Sequence, residues 1–138
     1  NCVPLSEYHP YVALPNNHKL AHKKEISLHE LVTLPLILLD VAPSRSFFLG
    51  LFEVEGLKPT IAHTSPSLEL VRGMVGCGLG YSLLVTRPHG DKTYDGSQIC
   101  IRPLKGSHLK SKIVLGTLAD LKKTKIITCL EQAAQKLF

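Results

Sequence analysis

Ser44-Arg45-Ser46 and Thr64-Ser65-Pro66-Ser67 are the two places where this chain gathers hydroxyls, backbone amides and, in the first, a guanidinium at the expected start of a helix. The first amides of a helix lack internal acceptors, and the helix dipole turns its positive end toward them. Arg45 adds a planar fork of donors that matches a carboxylate. The two turns are therefore expected to hold a carboxylate or another small anion, with Ser65 also capping its helix and Pro66 in the first helical position. His63, beside Thr64, is the one histidine near them.

Other chemistries lack their residues. Gly76-Cys77-Gly78-Leu79-Gly80 contains G-x-G-x-G, but a dinucleotide loop leaves a strand and enters a helix. This run leaves a helix and enters a strand, so it reads as a helix stop. His18 and His22 stand four apart, yet no Glu follows His18 and Asn16-Asn17 marks a loop, so no metal is assigned. No G-x-S-x-G elbow is present. The chain is read as a non-enzyme that needs no cofactor.

The elements that must position the turns alternate. A strand is expected over Tyr8 to Leu14, then a lysine-rich loop, then a short helix from Leu28 to about Thr33 opened by the capping box Ser27-Leu28-His29-Glu30. Leu36 to Asp40 is an apolar run of strand length, followed by a helix carrying Phe47, Phe48, Leu51 and Phe52 that stops at Gly56. Pro59 to Thr64 gives a strand, Leu68, Val71 and Val75 mark a helix, and Tyr81 to Val85 gives the next strand. Such alternation implies a parallel sheet with helices on its faces, and in such sheets ligands bind beyond the carboxyl ends of the strands. A turn-rich loop then leads to a strand at Ile99 to Leu104, a polar linker over Lys105 to Ser111, a strand at Ile113 to Leu118 and an amphipathic helix from Thr124 to Phe138. One strand and one helix cannot close a core alone. They are expected to pack on the main sheet or to belong to a second lobe whose other parts precede Asn1. The helix is expected to bury its apolar face on its own lobe, with a dimer contact as the other option.

At 138 residues with 44% hydrophobic content the chain suits one ordinary core, or parts of two small ones, and argues against disorder. No apolar run is long enough to span a bilayer, and the start does not resemble a signal peptide, so a soluble, cytoplasmic protein is expected. Cys2, Cys77, Cys100 and Cys129 lack paired C-x-x-C spacing and read as reduced thiols used as small hydrophobes. The net charge of +5 gathers at Lys19 to Lys24, Lys105 to Lys112 and Lys122 to Lys125. None of these clusters is interleaved with aromatics, so they read as solvated surface rather than a nucleic-acid face.

In order and spacing the chain resembles the effector-sensing region of LysR-type transcriptional regulators. The resemblance runs through Tyr11-Val12-Ala13-Leu14-Pro15, Ile26-Ser27-Leu28-His29-Glu30-Leu31, Pro35 to Asp40, Pro43-Ser44-Arg45, Gly56-Leu57-Lys58-Pro59, Ser67 to Val75, Gly78-Leu79-Gly80-Tyr81 and Ile101-Arg102-Pro103-Leu104. It implies a type II periplasmic-binding-protein-like α/β fold, a parallel or mixed sheet with helices on both faces, with one complete lobe and part of a second. Residues 1–7 would be an N-terminal remnant or crossover, 8–106 the effector-binding lobe and 107–138 the returning strand and helix of the other lobe. It implies a small-molecule effector, expected to be anionic in view of Arg45, held in the cleft between lobes by Pro43, Ser44, Arg45, Ser46, Phe47, Thr64 and Ser65. It also implies a homo-oligomer that meets DNA through a winged helix-turn-helix absent from these residues. A periplasmic-type solute-binding protein for transport is the alternative on the same fold.

Overall fold

The computed structural model describes residues 1–106, 110–120 and 122–138. The chain forms two compact units, one of Pro10–His108 and one of Asn1–His9 with Leu109–Phe138. The polar linker expected over Lys105 to Ser111 passes through 107–109, which lie outside the described residues.

The strand expected from Tyr8 to Leu14 is two strands, β1 (Cys2–Tyr8) and β2 (Tyr11–Pro15). The break falls at His9-Pro10, where proline has no amide to give a ladder. In the larger unit β2 lies between β5 (Ser82–Leu84) and β6 (Ile99–Pro103), antiparallel to both. β3 (Pro35–Leu39) and β4 (Thr60–Ser65) pair in parallel. Tyr81 joins the two groups: its carbonyl accepts from the Ile37 amide at 2.8 Å, and its amide donates to the Pro35 carbonyl at 3.0 Å. The spatial order is thus β4-β3-β5-β2-β6. The sheet is mixed rather than parallel because the helix-strand alternation governs only the strands that its crossovers link, and β2 precedes that run.

Side chains of alternate parity serve opposite faces. Val12, Leu14, Leu36, Leu38 and Leu83 pack with α1 (Leu28–Leu31) and with Phe48, Leu51 and Phe52 of α2 (Ser44–Val54). Tyr11, Ala13, Ile37 and Leu84 pack with Val71 and Val75 of α3 (Leu68–Gly76). All of β2 is buried, as a strand covered on both faces must be. Gly80 allows the approach of the two groups of strands: a Cβ there would lie 2.3 Å from the Pro35 carbonyl oxygen.

Both long helices of this unit stop as the glycines imply. After α3, Gly78 takes φ +81°, its amide reaches Val75 O at 2.9 Å and the Leu79 amide reaches Met74 O at 3.1 Å. After α2, Gly56 takes φ +68°, and the Gly56 and Leu57 amides repeat the pattern on Glu53 and Phe52, each at 2.9 Å. These are Schellman stops, in which glycine tolerates the left-handed turn. The capping box of α1 is also formed, the Ser27 amide donating to Glu30 Oε2 at 2.9 Å while the Ser27 hydroxyl accepts from the Glu30 amide. Lys23, its amine bonded to the same carboxylate, and the Ser27 amide hold the Glu30 carboxyl down to about 2. His18 caps the 3-10 turn Lys19–His22, its Nδ1 accepting from the Leu20 amide at 3.1 Å.

The smaller unit pairs β1 with β7 (Ser111–Gly116) in antiparallel fashion and adds α4 (Lys125–Leu137), capped by Thr124. Lys110 and Lys112 pair with Glu7 at 3.0 and 3.5 Å, and Lys123 pairs with the buried Glu131 at 2.8 Å, so the basic clusters of the sequence are partly neutralised. The apolar face of α4 is not buried as expected. Ile126, Leu130 and Leu137 stay exposed, at 81, 59 and 82%. Among the cysteines, all free, Cys100 alone is buried, so the small-hydrophobe reading fails for Cys2, Cys77 and Cys129.

Candidate functional site

The carboxyl ends of β3 and β4 lie side by side, with Leu39 opposite Ser65, and the Asp40 amide donates to Ser65 O at 2.8 Å. Parallel pairing therefore brings the two turns singled out from sequence to one edge of the larger unit. The chain leaves β3 through Asp40-Val41-Ala42-Pro43 into α2, and leaves β4 through Pro66-Ser67 into α3.

The two helix starts differ in how their amides are satisfied. Pro43 occupies the cap position of α2 and has no side-chain acceptor to offer. Arg45 and Phe47 donate to Val41 O and Pro43 O at 3.0 and 3.1 Å, and the Ser46 hydroxyl donates back to Pro43 O at 3.0 Å. No acidic residue stands in this first turn. The positive end of an eleven-residue helix is thus left without a cap among the described residues, which suits an anionic group.

At α3 the structure corrects the sequence reading. Ser67, not Ser65, is the cap, its hydroxyl accepting from the Leu70 amide at 3.3 Å. Ser65 ends β4, buried, with its hydroxyl accepting from the Ser67 amide at 3.1 Å. Pro66 consequently lies outside the helix. The shift has a plain cause: Ser67 itself keeps extended backbone, φ −97° and ψ 120°, so the first helical residue is Leu68, whereas a cap at Ser65 would need Pro66 and Ser67 to be helical already. Thr64 and His63 are exposed on β4, and Pro43, Arg45 and Ser46 are exposed on the other turn. Ser44 and Phe47 are half-buried, with Phe47 stacked edge-on against Phe48 at 5.2 Å between ring centres.

Sequence reasoning missed Asp40. Its Oδ1 lies 3.2 Å from Arg45 Nη1, both side chains nearly half exposed. Such a pair contributes only about 0–1 kcal/mol. A carboxylate five residues before an arginine, across a strand end and a helix start, was the available signal. Arg45 is thus a partnered cation rather than an open one.

A cavity of about 460 Å³ lies elsewhere in the larger unit, lined by Glu69, Leu70, Gly73, Met74, Cys77, Leu79, Tyr94 and Asp95. It shares no residue with the two turns. Its carboxylates are engaged: Glu69 with Arg72 at 2.8 Å, and Asp95 with Thr93 and Ser97, whose hydrogen bonds hold its carboxyl below the usual range. Apolar walls with an acidic rim repel the anion that the strand-end turns invite. Buried Arg72 ties the adjoining loop to α3, donating from Nη2 to Gly90 O and Lys92 O, both at 3.2 Å.

Comparison with known proteins bears on this geometry. The family model of the LysR substrate binding domain matches residues 1–137. The HTH-type transcriptional regulator TtuA of Agrobacterium vitis is 34% identical over 83 residues, covering 58% of this chain and 27% of TtuA. The crystal structure of HinK, a LysR family transcriptional regulator from Pseudomonas aeruginosa, superposes with a TM-score of 0.92 at 40% identity, covering 99% of this chain and 48% of that one. The effector-binding domain of QuiR, solved with shikimate, shares the fold at a TM-score of 0.80 and 17% identity, covering 99% of this chain and 64% of that one. The chain thus spans less than half the length of TtuA and HinK. The fold is the type II periplasmic-binding-protein-like α/β class that the sequence resemblance implied, covered in part.

Proposed function

The chain belongs to the LysR substrate-binding domain family, and on that premise we propose that it senses a small molecule bearing an anionic group for a transcriptional regulator. The family is one of regulators, as its relatives TtuA and HinK are, which sets the transport alternative aside. The observation that carries the proposal is the shared edge at which β3 and β4 end, with the uncapped α2 start and Arg45 on one side and Ser65 and Thr64 on the other. Pro43, Ser44, Arg45, Ser46, Phe47, Thr64 and Ser65 hold the effector in this reading. Shikimate in QuiR supports it, as a small carboxylate held on the same fold.

The effector acts by population shift: it favours whichever state of the regulator binds it better, by no more than its difference in affinity for the two. In this reading the full-length protein is a cytoplasmic homo-oligomer. It meets DNA through a winged helix-turn-helix outside these residues, catalyses no reaction and carries no resident cofactor. Calorimetric titration of a panel of small carboxylates and amino acids tests the proposal. Ser44→Ala with Arg45→Ala should weaken any hit at least tenfold, roughly the loss of one charge-assisted contact, while the melting temperature of the unliganded protein stays put. Unchanged affinity in the double variant would remove the α2 turn from the site.

A further inference from the structure

The Asp40–Arg45 pair constrains the ligand's own charges. We infer that the small molecule held at these turns is a zwitterion, with a carboxylate and a protonated nitrogen close together, rather than a simple mono- or dicarboxylate; this rests on the turns being the effector site. Across 40–47 and 63–67 the charged side chains are Asp40 and Arg45, joined by His63 when it is protonated. Arg45 Nη1 and Asp40 Oδ1 stand 3.2 Å apart.

A carboxylate drawn to Arg45 and the α2 amides arrives beside the Asp40 carboxylate, and like charges at that range disfavour each other. A simple anion would need a further cation to offset Asp40, and apart from His63 neither turn supplies one. A protonated nitrogen on the same ligand converts the repulsion into a second contact. The ligand's carboxylate takes Asp40's place on Arg45, its nitrogen takes Arg45's place on Asp40, and both protein charges stay paired. The existing pair yields readily, because both side chains are more than 40% exposed and solvent already screens their attraction. Its short span suits a carboxylate and a nitrogen separated by one or two carbons, as in α- and β-amino acids. Phe47, half-buried one turn into α2, offers an apolar wall to the remainder.

The test compares three matched sets of probes on the full-length protein by calorimetry: α- and β-amino acids, their N-acetyl derivatives, which lack the cation, and the corresponding amines, which lack the anion. Succinate and glutarate serve as simple dicarboxylates. Some amino acid should bind at least tenfold tighter than both of its truncated forms and than either dicarboxylate. In Asp40→Asn that preference over the N-acetyl form should fall to within twofold, with the melting temperature unchanged. Equal or tighter binding of the dicarboxylates or N-acetyl forms, weakened by Arg45→Ala and not by Asp40→Asn, would overturn the zwitterion and leave the effector site standing. Binding by no probe of any charge type would count against both.

Discussion

At the scale of single residues, the sequence made the polar groups of the candidate site visible but not their assignments. Ser65 and Ser67 both precede Leu68, and only the backbone of Ser67, extended rather than helical, decides which of them caps α3. Ser67→Ala should therefore lower stability by about 1 kcal/mol in urea unfolding, with Ser67→Asp close to wild type. An unchanged midpoint in the alanine variant would deny the cap. Glu30 gives a second expectation, in pH. Its carboxyl is held at about 2 against an ordinary 4.5, so the capping box and the Lys23 contact stabilise the fold fully above about pH 4.5. That contribution fades as acid approaches pH 2 and the native carboxyl takes up its proton. Glu30→Gln should cost about 1 kcal/mol at pH 7, and the difference from wild type should shrink steadily in urea titrations at pH 4 and below. Asp40 was illegible for a different reason. Its importance lies in a partner that only the turn from β3 into α2 brings near.

At the scale of elements, nearly every helix and strand of the larger unit follows from local pattern. The capping box at Ser27, the apolar run before Asp40 and the stops at Gly56 and Gly78 each carry their reason within a few residues. What local pattern cannot carry is direction and adjacency, and so the antiparallel insertion of β2 escaped. Two glycines test this difference in scale. Gly73 lies within α3 with open space at its Cβ position, so Gly73→Ala should raise stability by up to about 1 kcal/mol through helix propensity. Gly80→Ala places a methyl against the Pro35 carbonyl, and since backbone cannot yield as a side chain does, the loss should reach about 3 kcal/mol. Thermal unfolding of the two variants should move in opposite directions. A neutral Gly80→Ala would mean that β3 and β5 are less closely joined than they stand here.

At the scale of the whole molecule, the two units are unequal. The larger contains both clusters of buried apolar side chains, and the smaller contributes two strands and a helix whose apolar stripe Ile126, Leu130 and Leu137 meets solvent. That stripe was legible as amphipathic helix, and its lack of cover was not, since a helical pattern shows which face is apolar and never what lies opposite. Amides of α4 should exchange with solvent far faster than those of β2 and β3 in hydrogen-exchange measurements on this chain, because local opening there exposes little that was buried. Equal protection would show that α4 and the larger unit unfold together. The burial of β2 has a further consequence, in time. Tyr11 to Pro15 leaves the ribosome before its partners in β5 and β6, which follow about seventy to ninety residues later. At ordinary rates of synthesis that interval lasts on the order of 5–20 s, during which an apolar strand has no neighbour. The segment best hidden in the finished protein is therefore the one most open to aggregation, and to chaperones, while the protein is being made.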